Sequence, residues 1–219
     1  MKAMILAAGR GERMRPLTDT CPKPLLKVAE IPLIEHHIVK LASAGFKEII
    51  INHAYLGDQI EAHLKDGASY GVTIQYSREQ EALETGGGIF QALPLLGNEP
   101  FLVVNGDVWC EFDYQNLPQV ISGTVHLVMT DNPEHNPEGD FFFYNGMLTE
   151  SCGVKLTYSG LGIYSSSLFK NCEAGKFPLA PLLRQAISEN NASATHFKGF
   201  WLDVGTPERL DFLNQYMSK

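Results

Sequence analysis

An alternation of apolar runs and helical patterns in the first half of the 219-residue chain restricts its fold more than any other feature. The apolar runs have the length and the β-branched content of buried strands. They are residues 2–8, 47–52, 72–76 and 101–105. Segments with helical spacing or helix-opening glycines separate them, at residues 32–41, 57–64 and 87–95. This strand–helix order predicts a parallel sheet with right-handed crossover connections.

After residue 110 the pattern becomes typical of antiparallel pairing. Asn145-Gly146 lies between two short apolar runs and predicts a hairpin over 141–149. The other predicted elements are a strand at 125–130, one or two strands over 155–164, a helix at 179–188, a strand at 200–204 and a helix at 207–216 with Thr206 as N-cap. We therefore predict one α/β domain with a Rossmann-like, mixed but mainly parallel central sheet flanked by helices. Its two halves are residues 1–110 and 111–219.

The composition is that of an ordinary globular protein, with 44% hydrophobic and 19% charged residues. The apolar stretches 3–8 and 101–104 are far shorter than the ~18 residues that a membrane-spanning helix needs, so no membrane association is predicted. Charged residues follow the first stretch at once, which argues against a targeting segment. The four cysteines form no Cys-x-x-Cys pair. They predict reduced thiols and a cytoplasmic location.

Charge is distributed unevenly along the chain. The net charge of −8 argues against a general nucleic-acid-binding protein, because such binding needs a basic surface. Residues 9–27 nonetheless contain five cations and two anions, a local net charge of +3. A cationic segment in an acidic protein predicts a small anionic ligand.

This cationic segment follows the first predicted strand and contains Gly9 and Gly11. Glycines let backbone N–H groups approach an anion closely, and the neighbouring arginines add positive charge. The segment is not a Rossmann fingerprint, because Met14 occupies the third glycine position, and it has no Walker Gly-Lys-Ser/Thr. The seven histidines show no His-Glu-x-x-His spacing, so no zinc site is predicted.

Two aspartates lie at or beside predicted strands. Asp107 follows the strand at 101–105, and ligands of open α/β sheets bind at this carboxyl edge. Asp203 alternates with Leu202 and Val204 and therefore points away from them. A carboxylate in an apolar strand is costly unless it is paired or binds a metal.

Three motifs resemble those of the sugar-phosphate nucleotidyltransferases, which join a sugar 1-phosphate to a nucleoside triphosphate. They are the glycine–arginine stretch Gly9 to Thr18 with Pro22-Lys23-Pro24, the Asn105-Gly106-Asp107 turn, and Trp201-Leu202-Asp203-Val204-Gly205-Thr206. Glu84-Thr85-Gly86-Gly87-Gly88 and the stretch 104–109 resemble the small uridylyltransferases that act on N-acetylmuramic acid 1-phosphate. The resemblance extends from Met1 to Met217 and implies the nucleotide-diphospho-sugar transferase fold.

The resemblance implies that the first half binds the nucleotide, UTP, and the second half binds the sugar phosphate. The implied nucleotide-binding residues are Gly9, Gly11, Glu12, Arg13, Lys23, Glu79, Thr85 and Gly86. It implies catalytic roles for Arg15 on the leaving pyrophosphate, for Lys23 on the α-phosphate, and for Asp107. Asp107 and Asp203 would bind Mg²⁺, with phosphate oxygens and waters completing the coordination. Glu84 stands where the family pattern has a glycine.

The implied sugar-binding residues are Asn105, Asp140, Glu150 and Gly160. The Glu-Lys-Pro motif of larger family members is absent. An N-acetylmuramate substrate carries a lactyl carboxylate, which would seek a cation or backbone donors. The cations of the second half that could bind it are Lys155, Lys176, Arg184 and Lys198. The resemblance places the reaction in the recycling of cell-wall sugars.

Three alternatives stay open at this point. Mannose 1-phosphate with GTP, or glucose 1-phosphate with dTTP or UTP, would keep the chemistry and change the ligands. A non-catalytic sugar-nucleotide sensor would be expected to lack Lys23 or the two aspartates, which this chain has. A metal-dependent glycosyltransferase of similar fold would carry Asp-x-Asp, whereas Val108 and Trp109 follow Asp107.

Overall fold

Strands from both halves join in one nine-stranded sheet in the computed structural model, which describes residues 1–218. The helices are α1 (Leu33–Ser43), α2 (Gly57–Leu64), α3 (Glu84–Leu96), α4 (Ala180–Ser188) and α5 (Pro207–Met217). The strands are β1 (Ala3–Leu6), β2 (Lys27–Val28), β3 (Ile31–Pro32), β4 (Glu48–His53), β5 (Thr73–Arg78), β6 (Phe101–Asn105), β7 (Val108–Cys110), β8 (Val125–Thr130), β9 (Phe141–Tyr144), β10 (Met147–Thr149), β11 (Val154–Tyr164), β12 (Ala192–Phe197) and β13 (Trp201–Asp203). The sheet order is β5-β4-β1-β6-β11-β8-β12-β10-β9.

The first half forms the parallel part of the sheet, as predicted. β1 pairs in parallel with β4 and β6, and β4 pairs in parallel with β5. The apolar run of β6 is buried on both faces from Phe101 to Val104. Helix α3 begins at Glu84, three residues before its predicted start. The mixed α/β fold flanked by helices is thereby confirmed.

The second half pairs mostly antiparallel. β11 pairs with β6 and β8, and its register shifts between Tyr158 and Leu161. The β9–β10 hairpin turns at Asn145-Gly146, whose φ angles of 48° and 81° are those of a type I′ turn. β9 also pairs with the start of β11, so β11, β8, β12, β10 and β9 close on one another.

The sequence analysis missed four strands, of which β2 and β3 are only two residues long and pair with each other. β12 contains Ser193, Thr195 and His196 and lacks a continuous apolar run, yet it pairs in parallel with β8. β7 is only three residues long and pairs with β13 in a separate ribbon. The β7–β13 ribbon and the β6–β11 pair both connect the two predicted halves, and the division at residue 110 stays a prediction. Lys219, the last residue of the second half, lies outside the described residues.

Two apolar layers cover the two faces of the sheet. One contains Ile34 and Ile38 of α1 with Ile60 of α2, and the other contains Ile89 of α3 with Leu183 of α4. A third cluster joins the glycine–arginine segment to β13 and α5, through residues Met14, Val28, Leu33, Val204, Leu210 and Leu213. This third cluster brings the first loop of the chain against one of its last strands.

Within residues 1–218, no helix has both the length and the apolar composition needed to cross a bilayer. The four cysteines are free thiols.

Candidate active site

A cavity of about 220 Å³ opens at the carboxyl edge of β1, β4 and β6. The ends of these strands and the segment before α3 meet there. The polar and loop residues that line it include Gly9, Lys23, Asn52, Thr85, Asn105 and Asp107. Four predicted nucleotide or catalytic residues and one predicted sugar residue therefore share one cavity.

Lys23 and Asp107 form an ion pair inside this cavity. The Lys23 Nζ lies 2.7 Å from Asp107 Oδ2. The Lys23 side chain is only 9% exposed, whereas that of Asp107 is 40% exposed. Lys23 lies between Pro22 and Pro24 and begins the 3-10 turn Lys23–Leu25, and Asp107 lies in the turn between β6 and β7. The pair supplies a buried positive charge next to an accessible carboxylate oxygen.

The β7–β13 ribbon places the second aspartate beside the first. Asp203 lies opposite Val108, and the Val204 N–H donates to the Asp107 carbonyl oxygen at 2.8 Å. Leu202 and Val204 pack in an apolar cluster that Asp203 does not join, as the alternation predicts. The backbone thus places Asp203 in β13 next to the turn that contains Asp107.

Both carboxylates already have a cationic partner. Asp203 Oδ2 accepts a hydrogen bond from Arg209 Nη1 at 2.8 Å, and His135 Nε2 lies 3.8 Å from the same oxygen. Lys23 and Arg209 each engage only one oxygen of their aspartate. Within residues 1–218 no group of three or more His, Cys, Asp or Glu is arranged around a common metal position. Each aspartate thus keeps one oxygen that these two cations do not engage, and carboxylate oxygens are the type of ligand that hard divalent cations bind.

The glycine–arginine segment folds back on itself beside the cavity. Gly11 has a φ of 71°, and a Cβ at this position would lie 3.0 Å from Thr18 Cγ2 and 3.2 Å from Lys23 Cβ. The Thr18 hydroxyl donates to the Gly11 carbonyl oxygen at 2.8 Å. Gly11 is therefore required for the close approach that brings Lys23 under the loop.

The charged residues of this segment pair mainly with one another. Arg15 donates to Asp19 Oδ1 at 2.6 Å and lies 3.5 Å from Glu12 Oε2. The hydrogen bond and the negative charge of Asp19 raise the pKa of the Arg15 guanidinium. Glu12 also pairs with Arg10. Arg13 approaches Asp203, since both side chains lie about 3 Å from the Cβ position that Gly205 lacks. These side chains do not line the cavity, and their phosphate contacts stay predictions.

Glu79 lies behind the cavity rather than in its lining. It is 6% exposed, and its carboxylate accepts hydrogen bonds from Asn52 Nδ2 at 2.6 Å and from the Leu83 N–H at 2.9 Å. Asn52 Oδ1 in turn accepts from the Ala7 N–H at 3.0 Å. Each carboxylate oxygen thus accepts one hydrogen bond, and Glu79 links the β1 loop to the segment before α3. Its nucleotide contact stays a prediction. The sequence analysis missed Asn52, although its place at the end of buried β4 resembles that of Asp107.

Thr85 and Gly86 have different environments. Thr85 lines the cavity. Gly86 is buried under Phe177, where a Cβ would lie 2.5 Å from Phe177 Cδ2. Gly86 therefore serves the packing of α3. It does not line the cavity, and its nucleotide contact stays a prediction.

The predicted sugar-binding residues divide into two groups. Asn105 lines the first cavity, and Gly160, with a φ of 84°, lies so near that a Cβ added to it would be 2.9 Å from Asn105 Cβ. Asp140 and Glu150 line a second cavity of about 340 Å³, together with Lys155 and Arg184. The second cavity lies beyond the register shift of β11, which separates the two groups.

Asp140 is held firmly where it lies. Its carboxylate accepts hydrogen bonds from the Tyr158 N–H at 2.8 Å and from Asn136 Nδ2 at 3.1 Å. Lys176 and Lys198 are not part of the second cavity, so Lys155 and Arg184 are the two candidate lactyl-binding cations that the structure brings together.

An aromatic pair next to Asp203 had no signal in the sequence. The rings of His135 and Trp201 stack at 6.4 Å with an interplanar angle of 21°. Trp201 Nε1 donates to the Ser159 carbonyl oxygen at 2.8 Å, beside Gly160. The loop before β9 is thereby placed over the end of the β13 strand.

Known proteins match this sequence and fold over most of their length. The N-acetylmuramate alpha-1-phosphate uridylyltransferase of Neisseria meningitidis serogroup B is 54% identical over 96% of this chain and 95% of its own. The enzyme of the same name from Caulobacter vibrioides is 34% identical over 94% of this chain and 92% of its own. The crystal structure of HddC from Yersinia pseudotuberculosis superposes with a TM-score of 0.83 at 22% identity and covers 99% of both chains.

Residues 2–148 match the family described as nucleotidyl transferase. This match contains the three strand ends that form the cavity and the whole glycine–arginine segment. With the family match and the full-length relatives taken together, the chain belongs to the nucleotidyl transferase family.

Proposed function

We propose that this enzyme transfers the uridylyl group of UTP to N-acetylmuramic acid 1-phosphate, giving UDP-N-acetylmuramic acid and pyrophosphate. The names of the two relatives that match nearly the whole chain support the substrates. The observation in the structure that carries the chemistry is the buried Lys23 ammonium beside Asp107 in the cavity. The proposal places the reaction in the cytoplasm, in the recycling of cell-wall sugars.

The reaction is a displacement at the α-phosphorus of UTP. A phosphate oxygen of the sugar 1-phosphate forms the new P–O bond, and the bond to the bridging oxygen of pyrophosphate breaks. The nucleophile is already an anion, so no residue has to remove a proton. The main barrier is the repulsion between the incoming phosphate and the triphosphate. Positive charge fixed at the reacting centre lowers this barrier.

Lys23 is suited to this role because its ammonium is held in the cavity before substrate arrives. Its low exposure reduces solvent screening, which strengthens its attraction for phosphate oxygens. Asp107 fixes the direction of the ammonium through the 2.7 Å ion pair. Arg15 would reach the leaving pyrophosphate only by exchanging Asp19 for it, and we retain that role as a proposal.

We further propose that Asp107 and Asp203 hold Mg²⁺. When bound, the ion neutralises phosphate charge and acts as a Lewis acid. The β7–β13 ribbon holds Asp203 next to the turn that contains Asp107, and Arg209 limits the rotation of Asp203. Asn105 at the end of β6, with Gly160 against it, would bind hydroxyl or acetamido groups of the sugar.

A pyrophosphate-release assay tests this function. The purified enzyme is incubated with N-acetylmuramic, N-acetylglucosamine, mannose or glucose 1-phosphate, each with UTP, GTP or dTTP, with and without Mg²⁺. We expect the highest kcat/KM for N-acetylmuramic acid 1-phosphate with UTP and loss of turnover without the divalent ion. Faster turnover of mannose 1-phosphate with GTP would contradict the proposed substrates but not the chemistry.

A further inference from the structure

Glu84, the first residue of α3, has an unfavourable backbone conformation. Its φ is 60°, in the left-handed region that side chains with a Cβ rarely adopt. Non-glycine residues persist in this region when the surrounding structure or a function requires them. A glycine at this position would adopt the same φ without steric conflict. The backbone geometry of this position therefore does not require a glutamate, and an interaction of its side chain would offset the conformational cost.

The chain itself supplies no such interaction. Glu84 is exposed, and in the part of the chain that the structure describes its carboxylate takes part in no ion pair and no side-chain hydrogen bond. It lines the 220 Å³ cavity next to Thr85 and Ala82. An unpartnered carboxylate at the wall of a binding cavity is available to a ligand.

The position of Glu84 within the cavity restricts which part of the ligand it contacts. Lys23 and Asp107 lie at the β6 side, whereas Glu84 belongs to the segment that follows β5. In the sheet, β4 and β1 lie between β5 and β6, so these two groups approach the cavity from different sides. With the phosphates at Lys23, the β5 side accommodates the nucleoside. A carboxylate there avoids the repulsion it would meet from phosphate oxygens.

A ribose presents two neighbouring hydroxyl donors, and a carboxylate presents two acceptors. Carboxylates at the nucleoside end of other α/β sites accept hydrogen bonds from ribose hydroxyls. The imide of uracil offers only one N–H donor. The ribose is therefore the better match for an open carboxylate with both oxygens free.

We propose that Glu84 binds the ribose hydroxyls of the nucleoside triphosphate and makes the enzyme discriminate against 2′-deoxyribonucleotides. This inference rests on the proposed function for the identity of the nucleotide. The favourable contact with the ribose compensates for the left-handed backbone. Glu84 is thus a specificity-determining residue that contacts substrate at the end of the cavity opposite Lys23.

The test compares Glu84→Gly with a matched control, Glu30→Gly. Glu30 lies in the β2–β3 turn, has a φ of 67°, and has a side chain that is 94% exposed outside the cavity. Both substitutions remove a glutamate side chain from a left-handed position. We therefore expect both to raise the melting temperature, each by about 2 °C, because glycine relieves the same conformational cost.

Calorimetric binding of UTP, 2′-deoxy-UTP, 3′-deoxy-UTP and CTP, without sugar phosphate, distinguishes the two variants. The unaltered enzyme and Glu30→Gly are expected to bind UTP about tenfold more tightly than 2′-deoxy-UTP, as loss of a hydrogen bond to a charged group predicts. Glu84→Gly is expected to bind UTP no more tightly than it binds 2′-deoxy-UTP. In turnover assays its KM for UTP rises by the same factor while kcat at saturating UTP stays unchanged.

Three results would overturn the inference: UTP binding by Glu84→Gly as tight as that of the unaltered enzyme, an equal loss for UTP and both deoxynucleotides, or a loss confined to discrimination between UTP and CTP. The last would show a contact to the base instead. Because binding is measured without the sugar phosphate, failure of N-acetylmuramic acid 1-phosphate as substrate does not affect it. If the enzyme prefers GTP, the same comparison made with GTP and 2′-deoxy-GTP tests the inference in the same way.

Discussion

Lys23 and Asp107 show how single residues combine local and distant constraints. Burying an ammonium is costly unless a carboxylate compensates for its lost hydration. Lys23 obtains that compensation from a residue 84 positions later in the chain. The two prolines around Lys23 restrict its backbone before this contact forms. The resulting cation is stable without substrate and accessible to a phosphate.

At the residue scale, we predict that Asp107→Asn lowers kcat by at least about a hundredfold, since a neutral amide is a weaker ligand than a carboxylate for the proposed Mg²⁺. The amide oxygen can still accept from Lys23, so the free energy of unfolding should fall by no more than about 2 kcal/mol. Pyrophosphate release and urea denaturation measure the two effects. Asp211→Asn, on the exposed face of α5, is the control and should change neither. Near-normal turnover of Asp107→Asn would refute the role of this carboxylate.

Among the elements, α3 depends on close packing at its first turn. Gly87 donates its N–H to the Phe177 carbonyl oxygen at 3.1 Å, and Phe177 donates back to Leu83 at 3.2 Å. On the other side, Gly88 lies against the Glu79–Asn52 hydrogen bond. Successive glycines therefore let α3 approach two neighbours at once. The sequence analysis interpreted these glycines as the opening of a helix, whereas the structure uses them for close contact.

We predict that Gly88→Ala weakens the site through this contact. Its Cβ would lie 2.7 Å from Glu79 Oε1 and 2.8 Å from Asn52 Nδ2, and both side chains are buried. The free energy of unfolding should fall by about 1–3 kcal/mol, and the KM for UTP should rise because Asn52 holds Ala7 at the cavity wall. Urea denaturation and initial-rate kinetics test this. An unchanged KM together with lower stability would show that the Glu79–Asn52 hydrogen bond has only a structural role.

The parallel pair of β8 and β12 makes a pH-dependent contribution. His126 lies in β8, 8% exposed, with Nδ1 2.9 Å from Ser193 Oγ and Nε2 3.0 Å from Thr195 Oγ1 of β12. Burial lowers the pKa of His126, so the folded state favours the neutral ring. A lowered pKa contributes stability above the pKa of the unfolded chain, about 6.5, and that contribution is lost as the pH falls.

We therefore expect the unaltered protein to lose stability between pH 7.5 and pH 5.5, and His126→Gln to lose less. The amide of glutamine does not titrate but can hydrogen-bond the same hydroxyls. Urea midpoints at the two pH values measure the difference. Equal losses in both proteins would show that protonation of His126 does not affect folding.

At the scale of the whole molecule, the candidate active site combines residues from both halves of the chain. The turn after β6 supplies Asp107 and β13 supplies Asp203, and the third apolar cluster holds the glycine–arginine segment against β13. The sheet continues from β6 to β11 without interruption. Neither half can therefore bury its own sheet edge alone.

We predict that the protein unfolds in one cooperative transition. Far-UV circular dichroism and the fluorescence of Trp109 and Trp201 should give the same urea midpoint and the same slope. Two separated transitions, or an early loss of fluorescence with secondary structure retained, would show that the halves fold independently.

Much of the architecture was predictable because it depends on local patterns. The strand at 101–105, the helix at 57–64 and the cap at Thr206 agree with the structure, since periodicity and capping act over a few residues. The strand β12 was missed because its pairing with β8 is set by contacts more than 60 residues apart, such as His126 with Ser193.

The same distinction applies to the site. The glycine–arginine segment and Asp107 could be recognised in the sequence, because a loop after a buried strand must lie at the sheet edge. Whether Glu79 faces the cavity, whether Asp140 shares it with Asn105, and which side chain pairs with Arg15 depended on packing. A residue's type limits the chemistry it can perform, but side-chain direction results from every neighbour that the folded chain brings against it.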